Sequence, residues 1–365
     1  MALGIILGTR PEIIKMAPII RLCEERATPY YLLHTGQHYS HELDKAFFKD
    51  LELPNPTFNL NVGSGTHAEQ TASILLGVEK ALQKTDTSIV MVEGDTNTVL
   101  AGALAAAKLH IPVGHVEAGL RSFDRTMPEE INRVVADHLS DLLFAPTEES
   151  KKNLLNEGIP EEKIHVTGNT IVDAVYQNLK IAQEKSTILR QLSLEPKQYM
   201  VATAHRAENV DYKDKLTGII QGLSQAAEDL DKPVIYPIHP RTQKMIKEFR
   251  LTTKNLKLIK PLGYLDFLAL EAASSLVLTD SGGIQEEACI MGVPCVTLRE
   301  NTERPETLRV GSNILVGTDP DRITRGAKEM SKRKTGWHNP FGDGEAAGKI
   351  LTIIEEHRKP SLSLK

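Results

Sequence analysis

Leu278-Thr279-Asp280-Ser281-Gly282-Gly283-Ile284-Gln285-Glu286-Glu287-Ala288 reads as the end of a buried strand (Ser275 to Thr279), a tight turn and a helix that starts at the glycines. The first N–H groups of a helix have no partner within it and lie at the positive end of its dipole. Gly282 and Gly283 leave that backbone bare, and Ser281 adds a hydroxyl. A diphosphate fits such a turn. Glu287, one turn further on, is placed to accept hydrogen bonds from a ribose diol. The stretch predicts a parallel α/β sheet with a nucleotide-diphosphate site at a strand's carboxyl end.

The same grammar extends in both directions. Gly4–Leu7, Tyr30–His34, Ser88–Glu93, Val113–Val116, Leu142–Ala145 and Ile164–Val166 are short apolar runs rich in Val, Ile and Leu, alternating with helical patterns such as Pro11–Glu25 and Asn97–Leu109. That alternation is the βαβ signature of a parallel sheet covered on both faces. Residues 181–198 are polar and read as a helix end plus linker. The pattern then restarts with strands at Tyr199–Thr203, Val234–Pro237, Leu256–Ile259, Ser275–Thr279 and Pro294–Thr297. The expected fold class is α/β, with two Rossmann-like parallel-sheet domains, residues 1–172 and 173–344, facing a central cleft. A last helix within 345–365 is expected to pack back onto the first domain.

At 365 residues, with 41% hydrophobic and 25% charged residues, the chain has the composition of an ordinary globular protein with two real cores. A net charge of −5 argues against nucleic acid or anionic membrane as the main partner. No segment approaches 18 apolar residues, so no membrane span is expected, and the run at Leu3–Leu7 is too short for a signal-peptide core. Cys23, Cys289 and Cys295 lack zinc spacing and fit a reduced, cytoplasmic setting as small buried hydrophobes. His34, His38 and His41 invite a metal reading, but no carboxylate spacing completes it, and none is expected.

The polar clusters fall just after predicted strands. Gly8-Thr9-Arg10-Pro11-Glu12, with Lys15 one turn on, favours an anion at a helix start; it is neither a P-loop nor a GxGxxG fingerprint, which leaves ATP and NAD unsupported. In Glu93-Gly94-Asp95-Thr96-Asn97, Asp95 or Thr96 is a natural N-cap. Glu117 ends the Val113 strand, where a carboxylate is costly unless paired or working, and Arg121 is a candidate partner. Glu129 and Glu130 open a helix whose dipole favours them. Singly each carboxylate is readily structural. Asp95, Glu117 and Glu129 at neighbouring strand ends of one sheet suit acid/base chemistry, because crowded carboxylates raise one another's pKa. In the second half, His205 beside Arg206 and Glu208, His239 beside Arg241, and Arg304 after the Val296 strand face the same strand ends, Arg304 as a phosphate ligand.

Taken together, ILGTRPEIIKMAPII, HTGQHY, EGDTNTVLAGALAA, GHVEAGLRS, MPEEINR, GNTIVDA, AHRAEN, TDSGGIQEEA and RENTERPE closely resemble the non-hydrolysing UDP-N-acetylglucosamine 2-epimerases, in order, from residue 3 to about 317. The resemblance implies a GT-B fold and reversible conversion of UDP-GlcNAc to UDP-ManNAc through a 2-acetamidoglucal intermediate, with no cofactor and no metal. It places Ser281, Gly282, Gly283 and Glu287 at the UDP, with Arg10 and Arg304 near the phosphates and Phe267 at the uracil pocket. Asp95, Glu117 and Glu129 match the family's acid/base carboxylates, and Lys15 and His205 further active-site positions. Leu262 stands where a relative has a polar residue, a position that a backbone contact serves. Gln37, His38, Gln70, Arg206 and His239 resemble the positions that bind a second UDP-GlcNAc as an allosteric activator. The family often carries His-Arg-Arg-Glu-Asn where this chain has Ala207 in the middle. The resemblance also implies a homodimer and a place in surface polysaccharide biosynthesis. The rival readings are a hydrolysing 2-epimerase that releases ManNAc and UDP, a GT-B glycosyltransferase, and a non-catalytic nucleotide-sugar sensor.

Overall fold

The Val-, Ile- and Leu-rich runs form two wholly parallel sheets, one in each of two compact units. The structure is a computed structural model describing residues 1–37 and 41–358, with the backbone alone for 41–44. The first unit comprises Met1–Tyr176 and the segment from Phe341 onward; the second is Gln177–Pro340.

The first unit runs β1 (Ala2–Leu7), α1 (Arg10–Glu25), β2 (Tyr30–His34), α2 (His41–Asp50), β3 (Phe58–Asn59), α3 (His67–Leu82), β4 (Thr87–Glu93), α4 (Asn97–Lys108), β5 (Val113–Val116), α5 (Pro128–Leu139), β6 (Leu142–Ala145), α6 (Glu148–Asn156) and β7 (Ile164–Val166). Its strand order is β3-β2-β1-β4-β5-β6-β7, so the winding reverses between β1 and β4. Ligand sites of open α/β sheets lie at such a reversal, beyond the strands' carboxyl ends. The loops there are Gly8–Glu12 and Glu93–Thr96. The alanine-rich α4 lies so close to the sheet that a Cβ on Gly102 would meet Ile6 and Val92 at 3.2 Å. Around it pack Leu33, Val90, Ile74 and Val78, all buried.

Helix α7 (Thr170–Lys185) carries the chain into the second unit, which runs α8 (Ile188–Leu192), β8 (Met200–Thr203), α9 (Ala207–Val210), α10 (Lys213–Asp229), β9 (Val234–Pro237), α11 (Pro240–Glu248), β10 (Leu256–Ile259), α12 (Tyr264–Ala272), β11 (Leu276–Thr279), α13 (Gly282–Ile290), β12 (Cys295–Thr297), α14 (Pro305–Arg309), β13 (Asn313–Leu315) and α15 (Pro320–Met330). The strand order β10-β9-β8-β11-β12-β13 reverses between β8 and β11. That reversal brings the His205 loop beside Ser281.

The last helix, α16 (Ala346–His357), packs on α1. Asp173 accepts the Ala346 and Ala347 N–H groups at its start, and Thr28 donates to Glu355 near its end (2.9 Å).

Strand ends shift by a residue or two from the sequence reading, as they usually do. Two short strands, β3 and β13, escaped it. Each lies at a sheet edge and is too short to show a period. Residues 181–198 begin with the end of α7, as expected, but the linker after it contains a short helix, α8, which packs its Ile188 into the second core beside α12. Among the described residues, no helix is long and apolar enough to cross a membrane.

Candidate active site

Lys15 is the centre of the first unit's strand-end cluster. Thr9 begins α1 as its N-cap, and Glu12 completes a capping box by accepting the Thr9 N–H (3.3 Å); its Oε2 also accepts the Gly8 N–H (2.5 Å) and its Oε1 the Thr96 hydroxyl (2.6 Å). Lys15, one turn later, points the same way. Its Nζ donates to Glu117 Oε1 at 2.6 Å and lies 3.3 Å from Glu93 Oε1. All three side chains are buried. Lys15 thus meets carboxylates, where the sequence suggested an anionic ligand. Burial pushes the Glu12 carboxyl up to about 7, against the pull of its hydrogen bonds. Burial pushes Glu93 well above the usual range, with Lys15 opposing and Glu117 and Glu12 reinforcing. Arg10, at the helix start, holds its guanidinium 5.2 Å above the Phe47 ring.

Glu117 has a left-handed backbone, φ +69°. That conformation costs an L-residue about 1–2 kcal/mol and is retained where the surroundings impose it. Asn169 donates to the same Oε1 (3.1 Å). Gly119, two residues on, has φ +80°, and a Cβ there would lie 2.3 Å from the Ser150 carbonyl oxygen, so the turn requires glycine.

The suggested Arg121–Glu117 pair does not form. Arg121 is held by Asp137 (2.7 Å) and Glu157 (2.6 Å), because the positive φ at Glu117 turns its carboxylate toward α1 instead. Asp137 also binds His115 Nδ1 (2.6 Å), whose Nε2 meets the Gly94 carbonyl (2.8 Å). Burial disfavours the His115 cation, but Asp137 outweighs it and raises the pKa.

Asp95 pairs with Arg133, and Thr96 rather than Asp95 caps α4. Glu130 is the buried, tied carboxylate of the pair that opens α5: it accepts the Ser122 and Phe123 N–H groups and pairs with Arg133 (2.7 Å). Those bonds outweigh burial and hold its pKa low. Glu129 is exposed on the first turn, with no hydrogen bond among the described residues. Gln37 and Gln70 bond one another: Gln70 Nε2 donates to the Gln37 carbonyl (3.1 Å) and Gln37 Nε2 to Gln70 Oε1 (3.3 Å). His38 lies outside the described residues. His34 is buried with its ring edge-on to Phe48, and the described residues contain no group of three His, Cys, Asp or Glu arranged for a metal. The three cysteines are buried and free.

In the second unit, nothing among the described residues stands within 4 Å of a Cβ built on Gly283, and on Gly282 only Glu303 does, at 3.7 Å. Packing therefore does not require these glycines. They leave the start of α13 open. The preceding Asp280 is fully buried. It accepts the N–H groups of His205 (3.0 Å) and Arg206 (2.9 Å) and the Asn209 amide (3.1 Å), and lies 3.4 Å from His205 Nδ1. Sequence reasoning passed over Asp280, although an aspartate between a buried strand and a Ser-Gly-Gly turn was a legible signal. The His205 and His239 rings lie 5.8 Å apart. His239 is itself the N-cap of α11, and burial, then His205, lowers its pKa.

Arg304, expected beside phosphate, is paired with the buried Glu286 (2.7 Å). Arg299, which the sequence reading missed, pairs with Glu303 (2.8 Å) and drives that carboxyl down to about 2 despite its burial. Arg206 lies 3.9 Å from Glu303. Glu287 is buried against a second carboxylate, Glu271, also unforeseen. Burial and then the charge of Glu287 hold Glu271 well above the usual range. Two dry carboxyls in contact cannot both ionise, so one keeps its proton and donates a hydrogen bond to the other. Leu262 and Phe267 are half-buried against the apolar cluster formed by Tyr199, Val277 and Leu270.

The family described as UDP-N-acetylglucosamine 2-epimerase matches residues 21–355. The UDP-N-acetylglucosamine 2-epimerase of Methanocaldococcus jannaschii is 55% identical over 361 residues, 97% of this chain and 99% of that one. The crystal structure of the Methanocaldococcus jannaschii enzyme in complex with UDP-GlcNAc and UDP superposes with a TM-score of 0.88, covering 98% of this chain and 100% of that one. The Neisseria meningitidis enzyme bound to UDP-GlcNAc, 34% identical, also gives 0.88, with 98% and 100% covered. The α/β fold is of the GT-B type.

Proposed function

Because the chain belongs to the UDP-N-acetylglucosamine 2-epimerase family, we propose that it interconverts UDP-GlcNAc and UDP-ManNAc without net hydrolysis. The observation that carries the reading is the buried Lys15–Glu93–Glu117 cluster beside Asp95, at the reversal of the first sheet. The open start of α13 at the matching reversal of the second sheet agrees with it.

The chemistry explains why such groups are needed. The C2 proton of the sugar is barely acidic, since no carbonyl sits on a neighbouring ring carbon. As the C1–O bond loosens, C1 gains oxocarbenium character and C2–H becomes acidic. A base takes the proton, the C–H pair becomes the C1=C2 bond, and the C1–O pair leaves with UDP. The product is 2-acetamidoglucal. A proton delivered to the other face of C2 and return of the UDP oxygen to C1 complete the inversion. Such steps need a cationic and N–H grip on the diphosphate and acid/base groups at the sugar.

In this reading Ser281, Gly282 and Gly283 hold the diphosphate with Arg10 and Arg304, Glu287 binds the ribose diol, and Leu262 and Phe267 line the uracil pocket. Asp95, Glu117 and Glu129 share the two proton transfers, with Lys15 and His205 at the sugar. A buried, left-handed Glu117 fits that role better than the exposed Glu129. Gln37, His38, Gln70, Arg206 and His239 would take a second UDP-GlcNAc as activator. The protein is proposed to act in the cytoplasm, supplying surface polysaccharide synthesis, as a homodimer. The exposed Phe123, Ile131 and Val135 on and before α5 are consistent with that assembly.

The test is incubation with UDP-GlcNAc in deuterated water, followed by NMR. UDP-ManNAc carrying deuterium at C2 is expected. Free ManNAc with UDP would mean a hydrolysing enzyme, and no turnover a transferase or sensor.

A further inference from the structure

Glu93 ends β4 in register with Val116, the residue before Glu117, so the two carboxylates leave adjacent strands side by side. Lys15 reaches both from α1, but unequally: 2.6 Å to Glu117 and 3.3 Å to Glu93. Glu117 Oε1 also receives the Asn169 amide (3.1 Å), whereas Glu93 Oε1 has only the longer approach of Lys15 among the described residues. One ammonium compensates one carboxylate. A second anion in the same dry space would be uncompensated, and the neutral acid is far cheaper to bury. The charge therefore resides on Glu117, and Glu93 keeps its proton.

We propose that Glu93 is a positioning residue: it braces Lys15 from the far side while leaving the ammonium's charge to Glu117, and so sets the protonation state in which Glu117 works. The role of Glu117 in proton transfer rests on the function proposed above. The charged groups facing Glu93 are Lys15 and Glu12 from α1 and Glu117 after β5. The direction of its pH response follows. Burial raises the Glu93 pKa well above its unfolded value, and Glu93 is the carboxyl that the Lys15 ammonium leaves uncompensated, so it is the one that ionises late as pH rises. Once ionised, it competes with Glu117 for Lys15. Lys15 is drawn off Glu117, and Glu117 binds its proton more tightly beside a like charge. Catalysis falls on the alkaline side for a reason unrelated to the substrate.

The experiment is the pH profile of kcat for wild type, Glu93→Gln and Glu93→Asp, followed by C2 deuterium incorporation into UDP-GlcNAc. The glutamine has the acid's shape but cannot ionise, so the alkaline limb should move up by about one pH unit or more, a tenfold change in proton activity. Glu93→Asp withdraws the carboxyl from Lys15 and should lower kcat while keeping an alkaline limb. Coincident alkaline limbs for wild type and Glu93→Gln would overturn the inference. An infrared difference spectrum between wild type and Glu93→Gln, which has no carboxyl there, isolates the Glu93 carboxyl band and needs no turnover. A protonated-acid stretch at neutral pH supports the inference, and an ionised carboxylate overturns it. If wild type exchanges no C2 proton, the epimerase reading fails, and the infrared measurement still decides the state of Glu93.

Discussion

Replacing Lys15 by methionine keeps the length of the side chain and deletes the charge that holds Glu93 and Glu117 together. At an effective dielectric of about 20, unit charges attract by about 6 kcal/mol at the 2.6 Å separation seen with Glu117. Desolvation of both partners consumes most of this, and removal of one partner of a buried pair typically costs about 3–5 kcal/mol. The protein has a cheaper escape, because Glu117 can take up a proton. Without Lys15 its folded pKa lies above its unfolded value of about 4.3, so the folded state binds the extra proton and loses stability as pH rises between the two values. The slope is at most about 1.4 kcal/mol per pH unit for one proton. We expect Lys15→Met to cost about 3 kcal/mol at pH 8, shrinking to about 1 kcal/mol near pH 5.5. Urea unfolding of both proteins at several pH values, followed by far-ultraviolet circular dichroism, measures the difference. A cost that stays constant across this range, or below about 1 kcal/mol at pH 8, would refute the buried-cluster account.

Gly283→Ala should stabilise the fold by about 0.5–1 kcal/mol, since the Cβ meets nothing and alanine favours helix, yet weaken UDP binding measured by calorimetry. Unchanged UDP affinity would remove the anion site from α13. Glu271→Gln, which still donates to Glu287, should keep UDP affinity within about threefold, while Glu271→Ala should lower it by about tenfold or more, the cost of an unmade buried hydrogen bond. Equal affinities would show that Glu271 does not position Glu287. Asp137→Asn should cost about 3 kcal/mol through Arg121 and His115, read from urea midpoints. Asp137 is depressed, so its contribution is present above its unfolded pKa near 4 and lost as pH falls through the lower folded value; His115 is raised, so its share is lost as pH climbs past its folded value. A variant whose loss is the same at pH 4 and pH 9 would contradict the pairing.

Much of the site was legible because strand-end loops in a parallel sheet carry their signals locally. Gly8–Glu12, Glu93–Asn97, His205 and Ser281–Gly283 each follow an apolar run and precede a helix, and the structure places each after a strand. What escaped was partnership. Arg121 reads from the sequence as a partner for Glu117, in the same loop, but the left-handed turn at Glu117 sends that side chain to Lys15, 102 residues away in the chain. Arg304 reads as a phosphate ligand from its charge, its place after the Val296 strand and the family resemblance, none of which shows Glu286 one turn along α13. Glu271 drew no notice because a single acidic residue inside an apolar helix has no pattern, and Asp280, legible in its place before the Ser-Gly-Gly turn, shows its partners only in the fold. The significance of both lies in being fully buried.

Periodicity and loop chemistry are local, and they were enough to determine two parallel α/β sheets, the strand ends where polar residues gather, and the bare helix start at Ser281. Burial, strand order and pair distances depend on contacts between segments far apart in the chain. Only the tertiary structure decided that Lys15 lies between two dry carboxylates, that Asp280 holds the His205 loop, and that Glu271 stands against Glu287. The charge a carboxylate carries depends on the water it has lost and the cation it has met, and neither is written next to it in the sequence.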